Sequence, residues 1–302
     1  MGCFRSLYAP GSNFSSQTPI YNEVTVKCLG LFVGAALLTP AHSAVQTSMT
    51  RVVLAVAADP RGRPLVDVGA DDFVVSEGGS PREVLSVRVA DYPIVVAVDT
   101  RAASHVDLPA IKQAARHFIE RLGADRPVIV STLGRAPRAI ATFDDPRAAV
   151  LARLDALSPD ESGDARLLTG LGAAIETLRV AQPLFSAIVV LASADGDIGV
   201  AADDDPVASI VRSGAALHAI VKQGSSAAGA AQLRDFVTQA RGDVATIYAA
   251  ASYQAALDRL ADRLSSELLI EYISPAGGRA EDVKVGIRVP GARVRGLGVA
   301  PR

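Results

Sequence analysis

The chain has 302 residues, of which 49% are hydrophobic and 21% are charged, the composition of a globular protein long enough for a complete core. Thirty basic and 32 acidic side chains give a net charge of -2, so charge gives no reason to propose a nucleic-acid partner. The absence of tryptophan and the 5% aromatic content argue against a stacking platform for carbohydrates or single-stranded nucleic acid.

Residues 1–44 are predicted to be a leader and signal peptide. Lys27 precedes a short apolar segment, 28–38, which is followed by Pro40 and small residues up to Ala44. The apolar segment is shorter than the roughly 18 residues that span a membrane. A buried N-terminal helix is the alternative, but the segment has no amphipathic pattern. We therefore expect an extracytoplasmic protein, periplasmic or secreted, with no transmembrane span after cleavage.

Residues 50–91 are predicted to form a small β module without a helix. The turn residues 59–64 and the alternating pattern of 84–89 are typical of short antiparallel strands. At the other end of the chain, residues 267–302 are predicted to form a β-hairpin that packs with this N-terminal module.

Residues 92–266 alternate between strand and helix patterns. The continuous apolar run Ile94–Val98 is typical of a strand buried on both faces of a parallel sheet, and Asp107 is expected to cap the helix that follows. Only four residues separate the strand candidates 127–133 and 138–143, which is too short for a crossover, so these two should pair antiparallel. The pattern predicts an α/β fold with a doubly wound, mostly parallel sheet and one antiparallel edge strand.

Three polar residues occur where this fold class places its binding sites. Asp99 follows the run Ile94–Val98, Thr169 opens a helix, and Asp195 ends the apolar strand 188–194. Because the carboxyl ends of parallel strands meet at one edge of the sheet, we expect these side chains to lie close together.

Asp99, Thr169 and Asp195, in this order, resemble the metal-ion-dependent adhesion site of von Willebrand factor A (VWA) domains. The resemblance implies a Rossmann-like fold, a protein-binding role and a cation held by Asp-x-Ser-x-Ser, a threonine and a second aspartate. Here Arg101 and Ala103 stand at the two serine positions. The site is therefore expected to be degenerate, with weak or absent Mg²⁺ binding, and no cofactor is predicted.

The orientation of Arg101 has two alternatives in the sequence. It either turns inward and pairs with Asp99 or Asp195 in place of the ion, or projects into solvent. Ser104 is one residue beyond the serine motif, but its loop could bring it to the site. Four more acidic residues follow Asp195 in the chain: Asp197, Asp203, Asp204 and Asp205. They are expected to form a solvated loop, and calcium binding is the alternative.

Further motifs extend the resemblance beyond the sheet. The segment 58–64, the run 72–78 and the pair Glu271-Tyr272 look like the VWA-related proteins common in Acidobacteria. The resemblance covers the chain from around residue 50 to its end.

Other chemistries have little support in the sequence. Gly170-Leu171-Gly172 lacks the third glycine of a dinucleotide loop, and neither His-x-x-x-His nor Gly-x-Ser-x-Gly occurs. The leading prediction is a non-enzymatic module that binds a protein partner, independently of metal. The alternatives are a hydrolase that uses the acidic cluster near Asp195 and a structural component of an envelope assembly.

Overall fold

The structure, a computed structural model, describes residues 48–160, 166–193, 199, 206–224 and 227–301. The predicted leader, Asp195 and the acidic residues that follow it lie outside the described residues. The strands, in chain order, are β1 (Ser48–Ala58), β2 (Phe73–Glu77), β3 (Ser80–Arg82), β4 (Val84–Val89), β5 (Ile94–Val98), β6 (Val128–Thr132), β7 (Ser186–Ser193), β8 (Ala215–Lys222), β9 (Val244–Ile247), β10 (Glu267–Pro275), β11 (Val283–Ile287) and β12 (Arg293–Ala300). The helices are α1 (Leu108–Arg121), α2 (Arg147–Asp155), α3 (Gly172–Ala181), α4 (Pro206–Ser213), α5 (Ala227–Gln239) and α6 (Ser252–Leu264).

A five-stranded parallel sheet, in the order β6-β5-β7-β8-β9, forms the centre of the α/β part. Every residue of β5 and β7 is buried, because helices cover both faces of the sheet. The strand order reverses between β5 and β7, and open α/β sheets bind ligands outside the carboxyl ends of the strands at such a point. The predicted α/β fold with its parallel sheet is confirmed.

The predicted antiparallel edge is present in a reduced form. Residues 138–140 run antiparallel to β6, but their pairing is limited to a bridge between Ser131 and Ala139. The N–H of Thr132 donates to the carbonyl of Arg138 (3.0 Å), and that of Ile140 donates to Val130 (2.9 Å). The pairing stops at Ile140, and residues 141–143 of the predicted strand are not part of a strand.

Strands from both ends of the chain build a separate antiparallel β module, as predicted. One sheet has the order β12-β1-β10-β4 and the other has the order β11-β2-β3. Apolar residues of β1 and β10, including Val53 and Ile270, share a core with Phe73 and Val75 of β2. On the opposite face of the larger sheet, Leu54 belongs to the core of the parallel sheet.

The prediction of a C-terminal hairpin over 267–302 is wrong. The strands β10 and β11 lie in different sheets: β10 pairs with β1 and β4, whereas β11 pairs with β2. The connection 276–282 includes a short helical turn, Ala280–Asp282, and carries the chain from one sheet to the other. The last strand, β12, which the sequence patterns did not indicate, pairs with β1.

Among the described helices, none combines the length and the apolar character needed to cross a membrane.

Candidate functional site

The candidate site lies at the carboxyl ends of β5 and β7, where the strand order reverses. Asp99 follows β5 directly, and its backbone N–H donates to the carbonyl of Leu191 in β7 (2.9 Å). This bond continues the strand pairing past the end of β5 and holds the aspartate at the sheet edge. Asp99 is completely buried, with 0% of its surface exposed.

The side chain of Arg101 turns inward and donates hydrogen bonds to both carboxylate oxygens of Asp99. Its Nε donates to Oδ1 (2.8 Å) and its Nη2 donates to Oδ2 (2.9 Å), while its backbone N–H donates to Oδ1 (3.0 Å). The arginine side chain is only 5% exposed. Of the two orientations considered from the sequence, the structure has the inward one. A two-point guanidinium-carboxylate pair of this kind is stronger and more directional than a single-contact ion pair.

Ser104 reaches the same carboxylate because the chain makes a tight helical turn over Ala102–Ser104. The Oγ of Ser104 donates to Oδ2 of Asp99 (2.7 Å) and accepts a hydrogen bond from the backbone N–H of Ser193 (3.0 Å). Ser193 is the last residue of β7. Ser104 therefore connects the ends of the two strands that flank the reversal in strand order.

The carboxylate of Asp99 accepts at least four hydrogen bonds, two at each oxygen. An ionised carboxylate offers about four lone-pair positions. The donors of this chain thus fill the acceptor capacity of Asp99. Ala103, at the second serine position of the motif, has no side-chain oxygen to offer.

Thr169 lies at the same edge of the sheet. It opens the helical turn Thr169–Leu171 that precedes α3, and it is partly buried. The next residue, Gly170, packs so closely that a Cβ there would lie 3.1 Å from the Cα of Leu133. Leu133 follows β6 and donates its N–H to Val98 at the end of β5 (2.8 Å). Of the predicted site residues, Asp99, Arg101 and Ser104 are thus in direct contact, Thr169 is nearby, and Asp195 is outside the described residues.

A second buried ion pair lies at this edge, and sequence reasoning missed it. The Nζ of Lys222, the last residue of β8, donates to Oδ2 of Asp107 (2.6 Å), and only 6% of the Asp107 side chain is exposed. Asp107 does precede α1, but its side chain forms no capping hydrogen bond. The expected capping contact is therefore wrong, because the carboxylate pairs with Lys222 instead. The position of Lys222 at a strand end was the available sequence signal.

Tyr253 supports the same edge from α6. Its hydroxyl donates to the carbonyl of Ala192 in β7 (2.7 Å). Burial raises the pKa of Tyr253, and the negative charge of Asp107 adds to the effect, so the hydroxyl stays protonated and remains a donor at neutral pH.

Two large exposed apolar side chains follow or precede residues of the Lys222–Asp107 region. Val106, which directly precedes Asp107, is 92% exposed, and Tyr248 is 79% exposed. Tyr248 follows Ile247, the register partner of Lys222 in the sheet. Both side chains thus lie at the carboxyl edge of the sheet and are available for contact.

Solved structures with similar folds identify the architecture. A von Willebrand factor type A protein from Catenulispora acidiphila is 12% identical, with a TM-score of 0.50; the alignment covers 84% of this chain and 72% of that one. The chain has the fold of a VWA domain. Proximal thread matrix protein 1 from the mussel byssus is also similar, with 13% identity and a TM-score of 0.48; the alignment covers 63% of this chain and 50% of that one. The vWF domain of the type V pili tip protein Mfa5 from Porphyromonas gingivalis has 11% identity and a TM-score of 0.44, and the alignment covers 58% of this chain and 95% of that one. No family model matches the sequence, and neither does any curated protein.

Asp99 therefore lies at the carboxyl edge of the parallel sheet of a VWA fold. At these identities the similarity establishes the fold alone, so the function has to be argued from the residues at the site.

Proposed function

We propose that the chain is an extracytoplasmic, non-enzymatic VWA module that binds a protein partner through the carboxyl edge of its parallel sheet, without a bound cation. The two-point pair between Arg101 and Asp99 is the observation that carries this proposal. The leader sequence supports the location outside the cytoplasm.

The geometry at Asp99 opposes a divalent cation in three ways. A Mg²⁺ ion needs oxygen ligands in a near-octahedral array, but the oxygens of Asp99 already accept hydrogen bonds from this chain. Arg101 and Ala103 have replaced both serine ligands. In addition, the guanidinium is permanently charged and repels a cation at this position. The residues present therefore do not fit the metal site of the motif, and Arg101 supplies the positive charge itself.

The same saturation argues against catalysis by Asp99. A general base needs a lone pair directed at the substrate, and here the lone pairs are directed at Arg101 and Ser104. The hydrolase alternative rests on Asp195, outside the described residues, and no observation favours it.

The proposed contact surface consists of Val106, Tyr248 and the neighbouring Lys222–Asp107 pair. Tyrosine is enriched among the residues that dominate binding energy at protein interfaces, because it combines a large rigid ring with a polar end. The largely buried ion pair fixes the loop of Val106 against β8, because Asp107 directly follows Val106 and Lys222 ends β8.

Calorimetric titration with Mn²⁺ and Mg²⁺ tests the metal part of the proposal. We expect no binding isotherm for the wild type. The variant Arg101→Ser/Ala103→Ser, which rebuilds the motif, should bind one ion, and a further Asp99→Asn change should abolish that binding. A one-site isotherm for the wild type that Asp99→Asn removes would overturn the proposal.

Capture from envelope extract tests the partner part. We expect the wild type to retain the same protein with and without EDTA, and the variant Val106→Ser/Tyr248→Ser to lose it. Val180→Ser is the matched control, because Val180 is 71% exposed near the end of α3, away from the proposed surface. Capture that requires a divalent ion, or that survives the double substitution, would contradict the proposal.

A further inference from the structure

A cavity of about 500 Å³ lies at the opposite end of the parallel sheet from Asp99. Strands β1 and β12 of the β module form one side. The other side is formed near the amino ends of β7, β8 and β9, where Ser186, Ala216 and Asp243 are located. Cavities of roughly 300 to 1,000 Å³ are the usual size for small-molecule sites.

The charged lining of this cavity has an excess of arginine. Arg241, Arg263 and Arg295 line it together with two acids, Asp243 and Glu267. Arg263 forms an ion pair with Asp243, so the charge of that acid is already balanced.

Arg241 is held in place at the cavity. Its Nη2 donates to the carbonyl of Gly214 (3.0 Å). Its guanidinium also lies over β12 at Gly298, where a Cβ would be only 2.9 Å from Nη1. The glycine therefore gives the guanidinium room to lie against the strand.

Glu267 should repel an anion in the cavity less strongly than a surface carboxylate would. Tyr92 donates its hydroxyl to Oε2 of Glu267 (2.5 Å). Burial raises the pKa of Glu267, because the charged form is poorly solvated there. Apart from the Arg263–Asp243 pair and Glu267, the charged side chains of the lining are Arg241 and Arg295, both basic.

Two polar side chains add possible donors. Nδ1 of His218 accepts from Nη2 of Arg263 (2.8 Å) and from the backbone N–H of Asp243 (3.3 Å), so the proton of the neutral imidazole lies on Nε2. The Oγ of Ser186, a residue only 3% exposed, has no hydrogen-bond partner among the described residues. A buried hydroxyl without a partner is unfavourable, so the site is incomplete as it stands.

We infer that this cavity binds a small organic carboxylate with an apolar body. The guanidinium of Arg295, assisted by Arg241, receives the carboxylate, since a planar guanidinium matches a carboxylate with two parallel hydrogen bonds. Leu54, Phe185 and Leu297 provide the apolar part of the lining. This site is separate from the edge that carries Asp99, and its function is independent of the proposed protein partner.

The inference is tested by titrating the protein with benzoate and with hexanoate and measuring binding by ligand-observed NMR. Both acids should bind at millimolar concentration, and the neutral isosteres benzamide and hexanamide should bind roughly tenfold more weakly or worse, because they lack the charge-assisted contact. Inorganic phosphate, which has no apolar body, should also bind more weakly. Absence of binding by both acids, or equal binding of the amides or of phosphate, would overturn the inference.

Variants locate the binding. Arg295→Gln should weaken benzoate binding roughly tenfold. Arg293→Gln, an exposed change on the same strand outside the lining, should leave it unchanged. Ser186→Ala should also weaken binding while leaving the thermal midpoint of the free protein at least as high, because it removes a buried hydroxyl without a partner. Unchanged affinity in both Arg295→Gln and Ser186→Ala would place the probe elsewhere and refute the assignment.

Discussion

Arg101 and Asp99 are two residues apart and form a two-point ion pair at the end of a buried strand, with N···O distances of 2.8 and 2.9 Å. Both side chains are buried, so neither charge is solvated if the other is removed. The pair thus fixes the loop after β5 by contacts within the loop itself, and its energetic role can be measured.

Replacing Arg101 by methionine should destabilise the protein by about 3 to 5 kcal/mol, because Asp99 would remain buried and unpaired. Arg101→Lys should cost less, since the ammonium keeps the charge but loses the two-point geometry. Urea denaturation measures the free energy of unfolding. Arg135→Met is the control, because Arg135 is exposed. If Arg101→Met and Arg135→Met had the same small effect, the pair would not stabilise the fold.

Replacing Ser104 by alanine should destabilise the protein by about 1 to 3 kcal/mol, because it leaves the N–H of Ser193 without the serine acceptor and removes one donor to Asp99. Ser104 and Arg101 share Asp99, so the two substitutions should not be additive. The measurement is a double-mutant cycle of Arg101→Met and Ser104→Ala by urea denaturation. Strict additivity would show that the two side chains do not act on a common carboxylate.

The sequence predicted those features that depend on short stretches of chain. The apolar run Ile94–Val98 is sufficient to indicate a doubly buried strand, and the position of Asp99 directly after it indicates the sheet edge. The contact of Ser104 with Asp99 was foreseen only as an option, because it depends on the turn that the intervening residues adopt.

Local sequence patterns could not predict which distant residues and strands pair with each other. Lys222 and Asp107 are 115 positions apart, so no local pattern connects them. The strands β10 and β11 are neighbours in sequence, which suggested a hairpin, but β10 is largely buried and fits the interior of a sheet between β1 and β4. Burial across the whole β module decides which strands pair. The periodicity of apolar residues along a single strand gives no information about that choice.

A buried network ties the two sheets of the β module together, and Arg51→Met should disrupt it. Arg51 donates to Oε1 of Glu77 (2.6 Å) and to the carbonyl of Gly278 (2.5 Å), while Ser274 donates to Oε2 of Glu77 (2.7 Å). Removing the arginine leaves Glu77 buried with only the longer ion pair to Arg82 (3.8 Å), so the loss should be smaller than the roughly 3 to 5 kcal/mol of a completely unpaired buried charge.

Hydrogen exchange shows where that loss appears. If the β module can open separately, the amides of β1 and β2 should lose protection in Arg51→Met while those of β5 keep theirs. The exposed substitution Arg61→Met is the control. Equal loss of protection in β1, β2 and β5 would mean that the β module and the parallel sheet unfold as one unit.

His218 should make the protein less stable in mildly acidic solution. Burial, followed by the positive charge of Arg263, lowers the pKa of His218 from 6.5 to about 3, with Asp243 opposing the shift. Because the folded state binds this proton more weakly than the unfolded state, the contribution of His218 is complete above pH 6.5 and declines as the pH falls toward about 3. Each pH unit in this range costs at most about 1.4 kcal/mol.

The comparison of the wild type with His218→Asn isolates this effect, since asparagine offers an acceptor in place of Nδ1 but does not titrate. Relative to its value at pH 7.5, the stability difference between the two proteins should shift by about 2 kcal/mol in favour of the variant at pH 5. Other titrating groups, including the buried Glu267, act alike in both proteins and cancel in the difference. Urea denaturation at several pH values gives the result. A stability difference that does not change with pH would show that His218 is not held in its neutral form by the fold.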